Sequence, residues 1–220
     1  MTQRGQAIGA GARLKIVQTG DPVLRAAARG LTAAEVRSRA IQELVERLRD
    51  TMRDAPGVGL AAPQIGESIQ LAVVEDREEY FRDADPASTA ERERSAVPFH
   101  VVVNPKLSVV DEEPVEFFEG CLSVSGFVAL VPRARAVRVE CLDERARPVA
   151  IEARGWYARI LQHEIDHLHG RLYLDRMEPR SFMTTASHAR YWRGQTTREV
   201  RAALGLHATI WRAGGSAAKR

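Results

Sequence analysis

The chain has 220 residues, 45% hydrophobic and 28% charged, with a formal net charge of +3; this suits one domain with a substantial core and is too apolar for disorder. No apolar run approaches the roughly 18 residues of a membrane span, and the opening MTQRGQAIGAGARL lacks the apolar stretch of a secretory signal. A cytoplasmic protein is expected, in a bacterial cytosol rather than an organellar matrix.

KIVQTGDPVLR reads as an extended segment ending in a turn at Asp21-Pro22. Over residues 33–53, Val36, Ala40, Ile41, Leu44, Leu48 and Met52 recur at spacings of three and four, which predicts a helix with one core-facing stripe, capped by Thr32. Pro56, Gly57 and Gly59 break it in DAPGVGLAAPQIG, and IQLAVVED follows as a strand. Residues 75–97 are dense in charge and read as a surface insertion. FHVVVNPKLSVV reads as a buried strand turned at Asn104-Pro105. ALVPRARAVRVECLD alternates apolar and basic residues, predicting a half-exposed strand paired with ARPVAIEA across a turn at Asp143-Glu144.

Strands that follow one another without intervening helices indicate an antiparallel α+β fold. GWYARILQHEIDHLH, residues 155–169, is the second helix, stopped by Gly170. From Arg190 onward seven basic residues face one acid, Glu199, giving the end of the chain +6. Such segregated charge suits a polyanion, with a solvated surface as the plainer alternative.

His163 and His167 lie four residues apart, about 40° around a helix and one turn from each other, so both imidazoles can reach one ion. Glu164 then sits beside that ion without being required as a ligand, placed to take a proton from activated water. A hydrolytic site of this kind needs a third ligand. Position 173 is Tyr, so no third histidine follows; Asp175 and Glu178 are nearby acids, and Cys121 in EGCLSV is an upstream thiol. The two cysteines of the chain cannot make a disulfide framework, and Cys141, on its strand, reads as buried filler. GVGLAAPQIG adds small residues that allow close backbone approach, and Gln64, whose amide can face a developing oxyanion.

GVGLAAPQ, EGCLS and QHEIDH, in that order and at these spacings, resemble the three signature motifs of peptide deformylases, over roughly residues 14–180. VVEDREEY, VVVNP and GWYARILQHEIDHLHGRLYLDRM are similar to the organelle-like branch of that family. The resemblance implies an α+β fold with antiparallel sheets around a central metal-binding helix. The catalytic domain would span residues 1–185, with a basic extension over 186–220.

It also implies Cys121, His163 and His167 as ligands of one divalent metal, Fe²⁺ first, with Zn²⁺, Ni²⁺ or Co²⁺ as other ions the site accepts. Glu164 would be the general acid and base, and Gln64 and the Leu122 N–H the oxyanion donors. Gly59 would shape the substrate loop, with Val58, Trp156 and Ile160 around the methionine side chain. The implied activity is removal of the N-formyl group from formyl-methionine at the start of nascent polypeptides. Ribosome contact through the basic tail is expected from its segregated charge alone; oligomeric state is left open. Ser125-Gly126-Phe127 departs from the usual family sequence at the substrate rim. Two rival readings remain: an endopeptidase using HEIDH with an acidic third ligand, and a catalytically silent peptide-binding module.

Overall fold

In the computed structural model, which describes residues 13–206, the stripe expected as one helix forms two, α1 at Ala33–Val36 and α2 at Arg39–Asp54. Thr32 caps the first as expected, and Glu35 returns the bond in a reciprocal capping box. The break comes at Ser38, whose hydroxyl accepts from the Ile41 amide and starts a second helix. A second N-cap can interrupt a helix while leaving its apolar spacing intact. Val45, Leu48 and Met52 of α2 pack with Leu60, Leu71, Val73 and Val101. The opening stretch, and Arg212, Lys219 and Arg220 of the expected basic tail, lie outside the described residues.

Five strands pair in chain order, antiparallel throughout: β1 at Gly59–Ala61, β2 at Leu71–Asp76, β3 at Val97–Cys121, β4 at Val124–Leu142 and β5 at Pro148–Arg154. The turn expected at Asn104-Pro105 is instead a bulge within β3. Asn104 has φ 50°, the register shifts between Val103 and Lys106, and the Asn104 amide exchanges bonds of 2.9 and 2.7 Å with the Leu31 backbone. The side chain of Asn104 thus replaces ladder partners that the bulge gives up. The hairpin after Leu142 is as expected, with Leu142 opposite Pro148 and the Asp143 carboxylate accepting from the Arg145 and Arg147 amides.

The helix expected over 155–169 is α4, Gly155–Leu168, followed by Gly170 at φ 70°. It packs against all five of these strands, with Ala158, Ile160, Leu161 and Ile165 set among Val74, Val137, Val139 and Ala153. Gln162 ties its middle to β4 by bonding both the N–H and the C=O of Ala134, at 3.0 and 2.9 Å.

The segment expected as a surface insertion is docked. Glu75 and Asp76 end β2 as buried residues, and after α3, Pro86–Glu91, the chain returns to clamp α4. Arg94 forms a two-pronged pair with the fully buried Asp76, and Glu93 accepts from Arg135 and Arg154. The backbone amide of Trp156 donates to the Arg92 carbonyl at 2.8 Å. Gly155, at φ 60°, is required there, because a β-carbon would lie 2.5 Å from that of Glu93.

The expected start of a C-terminal extension, residue 186, falls in the first turn of α5, Thr185–Tyr191. Just before it, β6 at Met183–Thr184 pairs with β4. After it, α6 at Thr197–Ala203 buries Val200, and the Thr197 hydroxyl donates to the Glu116 carbonyl of β3 at 2.9 Å. Arg190, Arg193 and Arg198 of this segment are exposed. Among the described residues no helix is long and apolar enough to cross a membrane.

Candidate active site

Three elements deliver the expected site residues to one place. Cys121 ends β3, at the two-residue turn Leu122–Ser123 into β4; His163 and His167 come from consecutive turns of α4; Gln64 comes from the short 3₁₀ turn Ala62–Ile65 after β1. One ligand atom from each of Cys121, His163 and His167 lies within 4.8 Å of the other two, and the Cys121 Sγ is 3.3 Å from His167 Nε2. Neither Asp175 nor Glu178 belongs to this group, and the Asp175 carboxylate accepts from the Leu172 amide and from Arg25. Among the described residues, neither Asp175 nor Glu178 therefore supplies the acidic third ligand of the endopeptidase reading.

A second carboxylate orients the first histidine. Glu119 Oε2 is 3.0 Å from His163 Nδ1; an ionised carboxylate only accepts, so Nδ1 carries the proton and Nε2 is left for the cluster. Glu119 is buried, and burial alone would raise its pKa. The charges of Arg133 and Arg159, with the His163 hydrogen bond, outweigh that and hold it well below the usual carboxylate range. Arg133 reaches it through two bonds of 2.9 Å and Arg159 through one of 2.6 Å. Arg133 also bonds Asp166, which Arg176 grips through bonds of 2.7 and 2.8 Å. Burial would raise Asp166 too, but Arg133 and Arg176 bring it to about 2.

Sequence reasoning missed this network. It took β4 as half-exposed, yet Arg133 is 1% exposed. The one available signal was parity, since Arg133 shares its strand face with Ala129 and Val131.

Glu164 stands apart from these pairs. Its Oε2 is buried without a hydrogen-bond partner, and burial pushes its pKa up to about 7, against the lowering charges of His163 and Arg133. The space beside it exists because residue 59 is glycine: a β-carbon there would lie 2.3 Å from Glu164 Oε1. Gln64 is 1% exposed, with its Oε1 accepting from the Ala61 amide at 2.8 Å. Its Nε2 is held by two longer contacts, 3.3 Å to Ser123 Oγ and 3.5 Å to Cys121 Sγ.

All of this faces a cavity of about 360 Å³. The candidates Val58, Gly59, Gln64, Cys121, Leu122, Trp156, Ile160, His163 and Glu164 line it, while His167 lies behind at 1% exposure. Phe127 of the expected substrate rim also lines it, as do Phe118, Val128, Arg159 and Thr185, which were not anticipated. The Trp156 ring lies beneath the guanidinium groups of Arg92 and Arg94, 5.5 and 5.3 Å from its centroid. A thiol sulfur and two imidazole nitrogens form a donor set suited to a borderline divalent ion. The unpartnered Glu164 oxygen beside them is what a site with a further polar occupant requires. The residues fit a single metal ion.

An α+β fold that carries Cys, His and His donors next to an acid of near-neutral pKa, at the end of an apolar pocket, has the form of a metal-assisted hydrolase. The comparisons give the family. The model of polypeptide deformylases matches residues 13–182, and the chain belongs to that family. It is 46% identical over 169 residues to the chloroplastic peptide deformylase 1A of Solanum lycopersicum, covering 77% of this chain and 61% of the relative, so it spans less than two thirds of that protein. It is 45% identical over 204 residues to peptide deformylase 3 of Streptomyces avermitilis, covering 90% and 87% of the two chains. With the mitochondrial peptide deformylase of Homo sapiens it shares 42% over 177 residues, covering 80% and 71%. Among solved structures, the Met-Ala-Ser-bound class I type b peptide deformylase of Acinetobacter baumannii matches with a TM-score of 0.67 and 30% identity, over 76% of this chain and 99% of that one.

Proposed function

We propose that this chain hydrolyses the formamide bond of formyl-methionine at the start of nascent polypeptides. The observation that carries the reading is the position of Glu164: a buried carboxyl with a free oxygen, between the Cys121, His163 and His167 donors and an apolar pocket. A divalent ion held by those three residues, Fe²⁺ first among the ions they accept, would supply Lewis acidity at the formyl group.

The remaining steps fall to the chain's own residues. Glu164, with a pKa of about 7, can take the proton of the attacking water and hand it to the departing amine without a large penalty in either direction. The Gln64 Nε2 donates through contacts long enough to be exchanged for a better acceptor, so it can turn to the developing oxyanion, with the Leu122 N–H as the second donor. Glu119 keeps His163 in one tautomer throughout. Val58, Trp156 and Ile160 give the methionine side chain an apolar seat, and the absent β-carbon of Gly59 keeps the carboxyl of Glu164 within reach of the substrate. The exposed Arg190, Arg193 and Arg198 supply positive charge for ribosomal RNA.

The test is turnover of formyl-Met-Ala against acetyl-Met-Ala by metal-loaded protein. Fast release of formate with slow release of acetate is expected, since one further methyl group must fit beside the ligands. Equal rates, or cleavage within an unblocked peptide, would overturn the reading.

A further inference from the structure

The extended segment before Pro22, which the sequence marks only as the approach to a turn, is laced to the tip of the β3–β4 hairpin. Its Val17 amide donates to the Gln64 carbonyl at 2.9 Å, and its Thr19 amide to the Ser123 carbonyl at 2.7 Å. Between them the Gln18 side chain spans the tip: Nε2 donates to the Leu122 carbonyl at 2.9 Å, and Oε1 accepts from the Ser125 amide at 3.2 Å. Gln18 itself is exposed and lies outside the cavity.

Peptide planarity carries this surface bond inward. The Leu122 carbonyl and the Ser123 N–H belong to one trans peptide unit and point in opposite directions. With the carbonyl held by Gln18, the N–H is aimed at the Cys121 sulfur, to which it donates at 3.4 Å. The two bonds therefore run in series through one peptide group, and donation into the carbonyl polarises the N–H at its other end. A carbonyl free to swing toward water would take the N–H with it. The sulfur's side-chain contacts do not depend on Gln18: His167 Nε2, at 3.3 Å, comes from α4, and Gln64 Nε2, at 3.5 Å, from the 3₁₀ turn.

We propose that Gln18 is a positioning residue for the Cys121 sulfur. It fixes the Leu122–Ser123 peptide so that the Ser123 N–H draws charge from the sulfur and keeps it a weaker donor to the metal, which leaves the ion the stronger Lewis acid. This rests on Cys121 being a metal ligand, as given above, and not on the identity of the substrate.

The experiment loads wild-type protein, Gln18→Ala, Gln18→Glu and Gln18→Lys with Co²⁺, measures cobalt content, and records the sulfur-to-cobalt charge-transfer band and the turnover of formyl-Met-Ala. Gln18→Ala loses both bonds. Gln18→Glu keeps an acceptor for the Ser125 amide but cannot donate to the Leu122 carbonyl, whereas Gln18→Lys can donate there without accepting. The band should move to longer wavelength in Gln18→Ala and Gln18→Glu, because a sulfur that has lost a donor gives up charge more readily. It should stay near the wild-type position in Gln18→Lys. In the two shifted variants kcat should fall several-fold, with KM unchanged.

The same band position in all four proteins at equal cobalt content, or a shifted band with unchanged kcat, would overturn the proposal and leave Cys121 as a ligand. A band absent from wild type would overturn the ligand assignment with it. Loss of cobalt from all three variants, or a shift in Gln18→Lys as large as in Gln18→Ala, would make Gln18 a general brace of the hairpin and equally overturn it. No turnover by wild type would overturn the deformylase reading instead, and the band alone would then decide.

Discussion

The carboxylate of Glu164 occupies the space that a β-carbon on Gly59 would need, with Oε1 2.3 Å from that position. Gly59→Ala must therefore displace the proposed acid-base group while leaving Cys121, His163 and His167 in place. Its kcat should fall to the level of Glu164→Gln, a loss of roughly 10²–10⁴. Elemental analysis should find full metal content in both variants. Either variant above about a tenth of wild-type kcat, with the metal in place, would remove Glu164 from the proton transfer.

The two cysteines should separate cleanly. Cys121→Ala should lose metal, whereas Cys141→Ala should keep metal and turnover. Burial, reinforced by Asp143, raises the Cys141 thiol to about 11. It is therefore protonated at neutral pH, and alkylation of Cys141 by iodoacetamide should rise about tenfold per pH unit until pH nears that value. Mass spectrometry of the labelled peptide checks this, and a plateau near pH 8 would contradict the burial.

Glu119 and Arg133 should fail in different ways. Glu119→Gln weakens the acceptor that fixes the His163 tautomer, so metal affinity should drop by about 10- to 100-fold in a chelator competition. Arg133→Met leaves Glu119 and Asp166 short of a buried cation, and should cost about 3–5 kcal/mol in denaturant unfolding. A variant Arg133→Met as stable as wild type would mean that Arg159 and Arg176 suffice.

Arg92 lies over Trp156 from the docked segment and should act on substrate binding. Arg92→Ala removes a cation–π contact of about 0.5–2 kcal/mol, so KM for formyl-Met-Ala should rise several-fold with little change in kcat. Steady-state kinetics decide. A fall in kcat alone would place the effect on α4 rather than on the pocket wall.

If Arg190, Arg193 and Arg198 meet ribosomal RNA, changing all three to Gln should weaken co-sedimentation with ribosomes and flatten its salt dependence by about three log–log slope units at most. Dipeptide turnover is the control. Co-sedimentation indifferent to salt in both proteins would leave these arginines as solvated surface.

The grouping of the candidate site residues was legible because each sits in a short run whose spacing has a mechanical meaning. HEIDH stacks two imidazoles, and the hairpin after Leu142 is marked by alternation on both sides. The charge network around Glu119 was not legible, because Arg133 is 14 residues from Glu119 and 33 from Asp166, and only strand register brings them together. The docking of residues 92–94 was hidden for a related reason: a run of charge looks solvated until its partners, Asp76, Arg135 and Arg154, are known to face it. Ser38 was a local signal that an unbroken apolar stripe masked.

Cys121 stands at the tip of the β3–β4 hairpin, and this makes the long strands a ruler for the sulfur. Each residue added to or removed from β3 would move the sulfur by about 3.3 Å along the strand and turn its side chain to the opposite face. The bulges between Val103 and Lys106 and between Asp111 and Pro114 mark where extra residues are already absorbed. Length changes in the lineage of this chain should accordingly collect before β3 and after β4, where the chain can lengthen without shifting the thiol away from the two imidazoles.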